Sequence, residues 1–245
     1  MNEIIYFIIG FIGTFIGTLA GGGGLITLPA MLVTGVPIHS AIAANKFSNI
    51  FSSFSSFFVL LRDKKIKLKQ ALIVAPFSLL GGISGGLFAT SLSENSMTII
   101  AICLLSVALI LNFIKKNPKE RNENVDKVPK KVVPYLYGIG VYDGMFGPGQ
   151  GTLLMYSFLH HGFSYISAIA FTRFQTFLSC LGAFLIFFTS GHLNWNVTVY
   201  LAIGSILGAQ LSVRFAQKIS AKHLQFILRI VTVMLILQLS YRIIW

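Results

Sequence analysis

The sequence repeats itself at an offset of 127 residues, without a gap for most of its 245 residues. Gly13, Gly17, Gly22 and Gly24 meet Gly140, Gly144, Gly149 and Gly151, and Gly35 meets Gly162. The tetrapeptide SAIA at 40–43 recurs at 167–170. Phe47, Ser52 and Phe57 meet Phe174, Ser179 and Phe184. Farther on, Ala75, Ser78, Gly81 and Phe88 meet Ala202, Ser205, Gly208 and Phe215. A register kept this long means one structural unit used twice.

Each unit is apolar along most of its length. More than half of the residues are hydrophobic, only 11% are charged, and the charges gather between apolar stretches. Those stretches fall at 4–33, 38–61, 71–92, 97–114, 133–162, 165–189, 196–213 and 223–242. Most are close to the ~20 residues a helix needs to cross a hydrocarbon core of ~30 Å. The net charge of +12 is therefore read as loop bias, not as a nucleic-acid surface. Cys103 and Cys180 both lie in apolar stretches and show no ligand spacing, so neither a disulfide nor a metal is expected. The N-terminus shows no cleavable leader pattern and is read as mature.

Charge also orients the two units. The loop RDKKIKLK at 62–69 is strongly basic, whereas its mate at 189–196, TSGHLNWN, has no Lys or Arg. Conversely, 90–96 has no base, but its mate region carries Arg214, Lys218 and Lys222. Basic short loops stay in the cytoplasm, so equivalent loops face opposite sides and the repeats are inverted. Inversion requires an odd number of crossings per half, which four simple spans would violate.

The glycine run Gly21–Gly24 supplies the missing break. Each glycine costs a helix about 1 kcal/mol relative to Ala, so four in a row end it. The arms 4–20 and 25–34 would be only about 25 and 15 Å long as helices. A re-entrant hairpin in each half leaves three crossings per half, with the hairpins entering from opposite faces. One long kinked span over 4–34 is the competing arrangement, and Arg242 near an outward C-terminus opposes this orientation.

Irregular backbone survives at membrane depth only where protein covers it or it lines a cavity. GGGGL in the first unit matches PGQGT at 148–152, and a short helix follows each, over 25–34 or 152–161. The expected cavity is bordered by Gly21, Gly22, Gly23 and Gly24 and by Gly149, Gln150 and Gly151. Helix N-termini carry roughly half a positive charge and bind anions. For Gly13 and Gly17 close helix packing is the simpler reading.

Lys46 and Arg173 occupy the same position of the two units, close to the expected midplane. A cation there costs about 2.5–3.5 kcal/mol on insertion scales, which makes both functional candidates, for anion contact or for pairing. Asn45, Asn49, Ser52 and Ser56 follow one another at helix-face spacing, and Thr172, Thr176 and Ser179 match them in the second unit. Hydroxyls and amides on such a face bind an oxyanion or a neighbouring helix. Asp143 is the only acid inside an apolar stretch and matches Ile16, so the architecture does not require it. It could carry a coupling proton, pair with Arg173 or Lys46, or cap backbone at the break. His39, His160 and His161 are read as interfacial, and Cys180 as a small packing residue.

The stretches GTLAGGGGLITLPAML, AIAANKFSN and GVYDGMFGPGQGTLLM together resemble the TSUP family, also called the sulfite exporter TauE/SafE family. The likeness is to its bacterial branch with a Gly-Gly-Gly-Gly run, an Asn-Lys pair and a Tyr-Asp-Gly stretch, and it covers nearly the whole chain. It implies a multi-pass transporter of the bacterial inner membrane that moves small anions, often sulfur-containing, such as sulfite, thiosulfate or sulfonates. By position, the glycine run, Asn45, Lys46 and Asp143 inherit the site. The second unit reads TRFQT without the Asn-Lys pair, so the halves are expected to contribute unequally.

The expected fold is an all-α polytopic membrane protein of two inverted-topology repeats. Each has four hydrophobic segments, the first broken or re-entrant. The repeats are 1–114 and 132–245, joined by a polar, basic, cytoplasmic linker at 115–131. The expected function is secondary transport by alternating access, with a gated anion channel as the alternative. No nucleophile or metal constellation suggests an enzyme, and no cofactor is expected. The expected partners are a small anionic substrate and the lipid bilayer, not nucleic acid, with a homodimer left open.

Overall fold

A computed structural model of the chain describes residues 2–20, 24–63, 66, 68–114, 132–215 and 233. The glycines at 21–23, the linker 115–131 and, Val233 apart, the last apolar stretch lie outside the described residues. Among the described residues the secondary structure is helical. It comprises α1 (Asn2–Ala20), α2 (Gly24–Val33), α3 (Ile38–Arg62), α4 (Leu68–Thr90) and α5 (Glu94–Ile114). It continues with α6 (Val133–Met145), α7 (Gln150–His160), α8 (Tyr165–Thr189) and α9 (Trp195–Phe215).

The first apolar stretch of each unit is two helices. Gly13 on α1 lies against Thr27 and Ile26 on α2, so the chain doubles back between them. In the second unit the break covers Phe146–Gly149, with Gly147 and Gly149 at φ of 100° and 85°. Only glycine adopts that region without strain. Helix α7 begins at Gln150, two residues before the start expected from sequence, because the left-handed Gly149 serves as its N-cap. Tyr142 fixes the break by donating its hydroxyl to the Pro148 carbonyl.

Both short helices end in the same way. Val36 N–H donates to Met31 O and Gly35 N–H to Leu32 O, at 3.2 and 3.1 Å. Phe163 N–H to Phe158 O and Gly162 N–H to Leu159 O repeat the pattern, both at 3.1 Å. These are Schellman caps, with Gly35 and Gly162 in the left-handed conformation they require.

Helices α3 and α8 cross the middle side by side and antiparallel. Phe47 meets Phe184 with ring centroids 5.1 Å apart, Phe54 meets Phe177 at 5.2 Å and Phe57 meets Phe174 at 4.6 Å. Helix α9 runs parallel to α1: side chains at Gly204 and Gly208 would strike the backbone of Phe7 and Phe11, and Ser212 donates to Phe15 O at 2.7 Å. Helix α4 runs parallel to α6 in the same manner, Gly81 against Tyr137 and Gly140, and Gly85 against Val141 and Met145. Small residues let these backbones touch, which replaces the hydrophobic drive that lipid does not supply.

The apolar core divides into two clusters. One joins Leu25–Ala44 to Ala183–Leu201, and the other joins Phe57–Val74 to Leu154–Phe174. The polar faces of α3 and α8 lie between them. Outward, Ile4, Ile8 and Ile12 on α1 and Val199, Ile203, Leu207 and Leu211 on α9 form exposed rows spaced four residues apart. Water would oppose such rows, whereas lipid accepts them. Among the described residues, the segments Ala71–Thr90, Tyr165–Thr189 and Trp195–Phe215 are long and apolar enough to cross a membrane.

Candidate functional site

The start of α2 meets the second break. Gly24, the first residue of α2, lies against Pro148, and Gly24, Gly149, Gln150 and Gly151 border one cavity. Asn45 and Asn49 on α3, Arg173 and Thr176 on α8, and Asp143 and Gly147 complete its wall. The structure thus gathers every described candidate except Lys46 around one space. Gly21, Gly22 and Gly23 lie outside the described residues. The cavity holds about 20 Å³, room for roughly one water molecule.

Lys46 is wholly enclosed, and its ammonium is turned to α6. Nζ donates to the backbone carbonyl of Asp143, to Asp143 Oδ1 at 3.0 Å and to Phe146 O at 3.4 Å. An ammonium has three donors, and all three are engaged. Two of these acceptors are carbonyls at the end of α6, where a half-helix leaves C=O groups unpaired and favours a cation. Asp143 is held on its other oxygen, Oδ2, by the hydroxyl of Ser179 and by Cys180 Sγ at 3.5 Å. Cys180 therefore contacts the ion pair as well as filling space. Gly147 covers the pair: a Cβ there would lie 2.6 Å from Asp143 Oδ1 and 2.7 Å from Lys46 Nζ.

Arg173, the repeat mate of Lys46, is placed differently. Only 6% of its surface is exposed, yet Nε and Nη2 have no hydrogen-bond partner among the described residues. The guanidinium borders the cavity. Buried polar groups are nearly always paired, and an unpaired guanidinium at a cavity wall points to a ligand.

The amides are oriented by neighbours. Thr27 on α2 donates to Asn45 Oδ1 at 2.8 Å, which leaves Asn45 Nδ2 on the Gly24 side. Gln150 Nε2 donates to Thr176 Oγ1 at 3.0 Å, and Thr176 also donates to Thr172 O at 2.8 Å. The buried hydroxyls of Ser52, Ser53 and Thr172 have no partner among the described residues.

Sequence reasoning did not single out Thr27, Tyr142 and Gly147 as site residues, although all three lie in the stretches that carry the family resemblance. It also read His39 as interfacial. His39 is buried: Nδ1 lies 2.8 Å from Glu94 Oε1, Nε2 lies 3.1 Å from Ala89 O, and the ring stacks on His192 at 4.8 Å. Beside this group a second cavity of about 730 Å³ opens between α2, α3, α5 and the loop before α9. Its signal in sequence was weak, because Glu94, at the start of α5, and His192, in the loop before α9, lie far apart in the chain. Among the described residues no group of three or more His, Cys, Asp or Glu could hold a metal ion.

Known proteins with similar sequences sharpen the class. A Sinorhizobium protein named "Probable membrane transporter protein ORF9" is 34% identical over 95% of this chain and 90% of its own. A Haemophilus influenzae "Probable membrane transporter protein" is 32% identical over 86% and 83% of the two chains. The Escherichia coli "Probable membrane transporter protein YfcA" is 25% identical over 97% and 89%. A helical protein with lipid-facing rows and a buried charged cavity, related to these proteins over nearly its whole length, is a membrane transporter and not an enzyme. The chain matches the family described as "Sulfite exporter TauE/SafE" over residues 6–239 and belongs to it.

Proposed function

We propose that this protein is a secondary transporter of small anions in the bacterial inner membrane, with sulfur oxyanions and organosulfonates as the class. The observation that carries the reading is the buried Arg173 guanidinium, with Nε and Nη2 unpartnered, on the cavity bordered by the start of α2 and the second break. An anion 4 Å from it would gain about 4 kcal/mol before desolvation at an effective dielectric of 20. The family description supports the sulfur class.

Alternating access follows from two inverted repeats, residues 1–114 and 132–245, joined by the linker 115–131. Four observations support that relation. The offset of 127 exchanges the Phe47–Phe184 pair with the Phe57–Phe174 pair. It exchanges the Gly35 cap with the Gly162 cap. It exchanges the α1–α9 contact with the α4–α6 contact, both parallel. The basic loop 62–69 and its uncharged mate 189–196 put equivalent loops on opposite sides. In a multi-pass arrangement α1–α2 and α6–α7 then enter from opposite faces. Helix α2 borders the small cavity at Gly24 and the 730 Å³ cavity at Leu32, so its displacement would join the two.

Flux into liposomes containing the purified chain tests this. Sulfite or methanesulfonate uptake should saturate and show counterflow. Unsaturable conductance would replace the carrier with a gated channel. Chemical turnover of an organosulfur compound without translocation would overturn the reading.

A further inference from the structure

We infer that the site accepts its substrate as a monoanion, an inference that rests on the anion-transport reading above. Among the described residues, the Lys and Arg cations and the carboxylate that meet here are Lys46, Arg173 and Asp143. The Lys46 ammonium and the Asp143 carboxylate compensate one another at 3.0 Å, and every donor of the ammonium is used within the protein. Arg173 borders the cavity with Nε and Nη2 unpartnered among the described residues. The formal charge open to a ligand is therefore one.

Helix ends do not change that balance. At the second break the C-terminal end of α6, at Asp143, and the N-terminal end of α7, at Gln150, border the same cavity. Their opposed half-charges largely cancel. What remains is a set of neutral groups, Asn45, Asn49, Gln150 and Thr176, that can orient the oxygens of one anionic head. A dianion would bring a second charge into a small buried space with no further cation among the described residues to meet it, and an unpaired buried charge pays its desolvation cost uncompensated. Lys46 and Arg173, equivalent in sequence, thus have divided roles: one closes the contact between the repeats and the other receives the ligand.

The test uses the purified full-length chain and probes whose charge does not vary near neutral pH. Methanesulfonate is the monoanion, and sulfate and thiosulfate are the dianions, compared by thermal shift and by competition at matched ionic strength. Methanesulfonate should bind roughly tenfold or more tightly than either dianion. Arg173→Gln should lose that binding, and Arg173→Lys should retain part of it. Asp143→Asn, which raises the open charge by one, should move the preference towards sulfate. The Lys46→Met, Asp143→Asn double variant removes both charges and should restore the preference for methanesulfonate. Equal binding of mono- and dianions by the unaltered chain overturns this inference and leaves the anion site standing. Binding of neither overturns the anion site itself. Because the comparison on the unaltered chain decides, a variant that fails to fold leaves the outcome intact.

Discussion

Removing the ammonium of Lys46 strands a buried carboxylate and the last carbonyls of α6, whereas Arg173 Nε and Nη2 have no hydrogen-bond partner among the described residues to strand. Breaking one partner of a buried pair costs about 3–5 kcal/mol, while replacing both with apolar groups is often neutral. Lys46→Ala should therefore lower the unfolding midpoint in detergent sharply, and Lys46→Ala with Asp143→Ala should recover much of it. Arg173→Gln should keep or raise the midpoint while it weakens anion binding, since a functional site holds an unpaired charge at the expense of stability. Equal destabilisation by Lys46→Ala and Arg173→Gln would contradict the division between them. Sequence position made the two cations equivalent. Their neighbours made them different, because Asp143 exists in only one repeat.

Helix α4 holds the site from behind through glycines. A Cβ at Gly82 would lie 2.7 Å from the Cα and carbonyl carbon of Ser179, and one at Gly182 would lie 3.0 Å from the nitrogen of Ile83. Ser179 is the residue whose hydroxyl holds Asp143. Gly82→Leu should push α8 from α4 and cost about 1–3 kcal/mol or more through overpacking. The measured loss should exceed that of Gly138→Leu, where a Cβ meets open space. Comparable unfolding midpoints for the two variants would remove the close crossing as a support of the site. The sequence marked the helices and their breaks well, since glycine runs and apolar stretches are local signals. It did not mark which helices cross, because a glycine reads alike in a crossing, a cap or a break.

For the whole molecule, the proposal of inverted repeats makes a prediction about sides. Asp63 and Asn196 are exposed residues of equivalent regions, one at the end of α3 and one at the start of α9. Single cysteines at these positions, introduced after the exposed Cys103 is replaced, should react with an impermeant maleimide from opposite faces of the membrane. Labelling from the same face would rule out inversion. The same arrangement explains why the site lies where the apolar core divides. Two antiparallel copies of one polar-faced helix, α3 and α8, bring like faces together only along their shared middle.

The sequence by itself determined the repeat, the apolar stretches, the glycine breaks and the two buried cations, since each is a matter of composition and spacing along one segment. It also determined the family, through motifs that lie on the site's own walls. Only the tertiary structure decided that the start of α2 touches the second break, that Thr27 orients Asn45, and that Lys46 turns to Asp143 while Arg173 faces the cavity. The reason is physical. A charge buried in a membrane protein takes its role from the nearest opposite charge or carbonyl, and for Lys46 that partner lies 97 residues away in the chain.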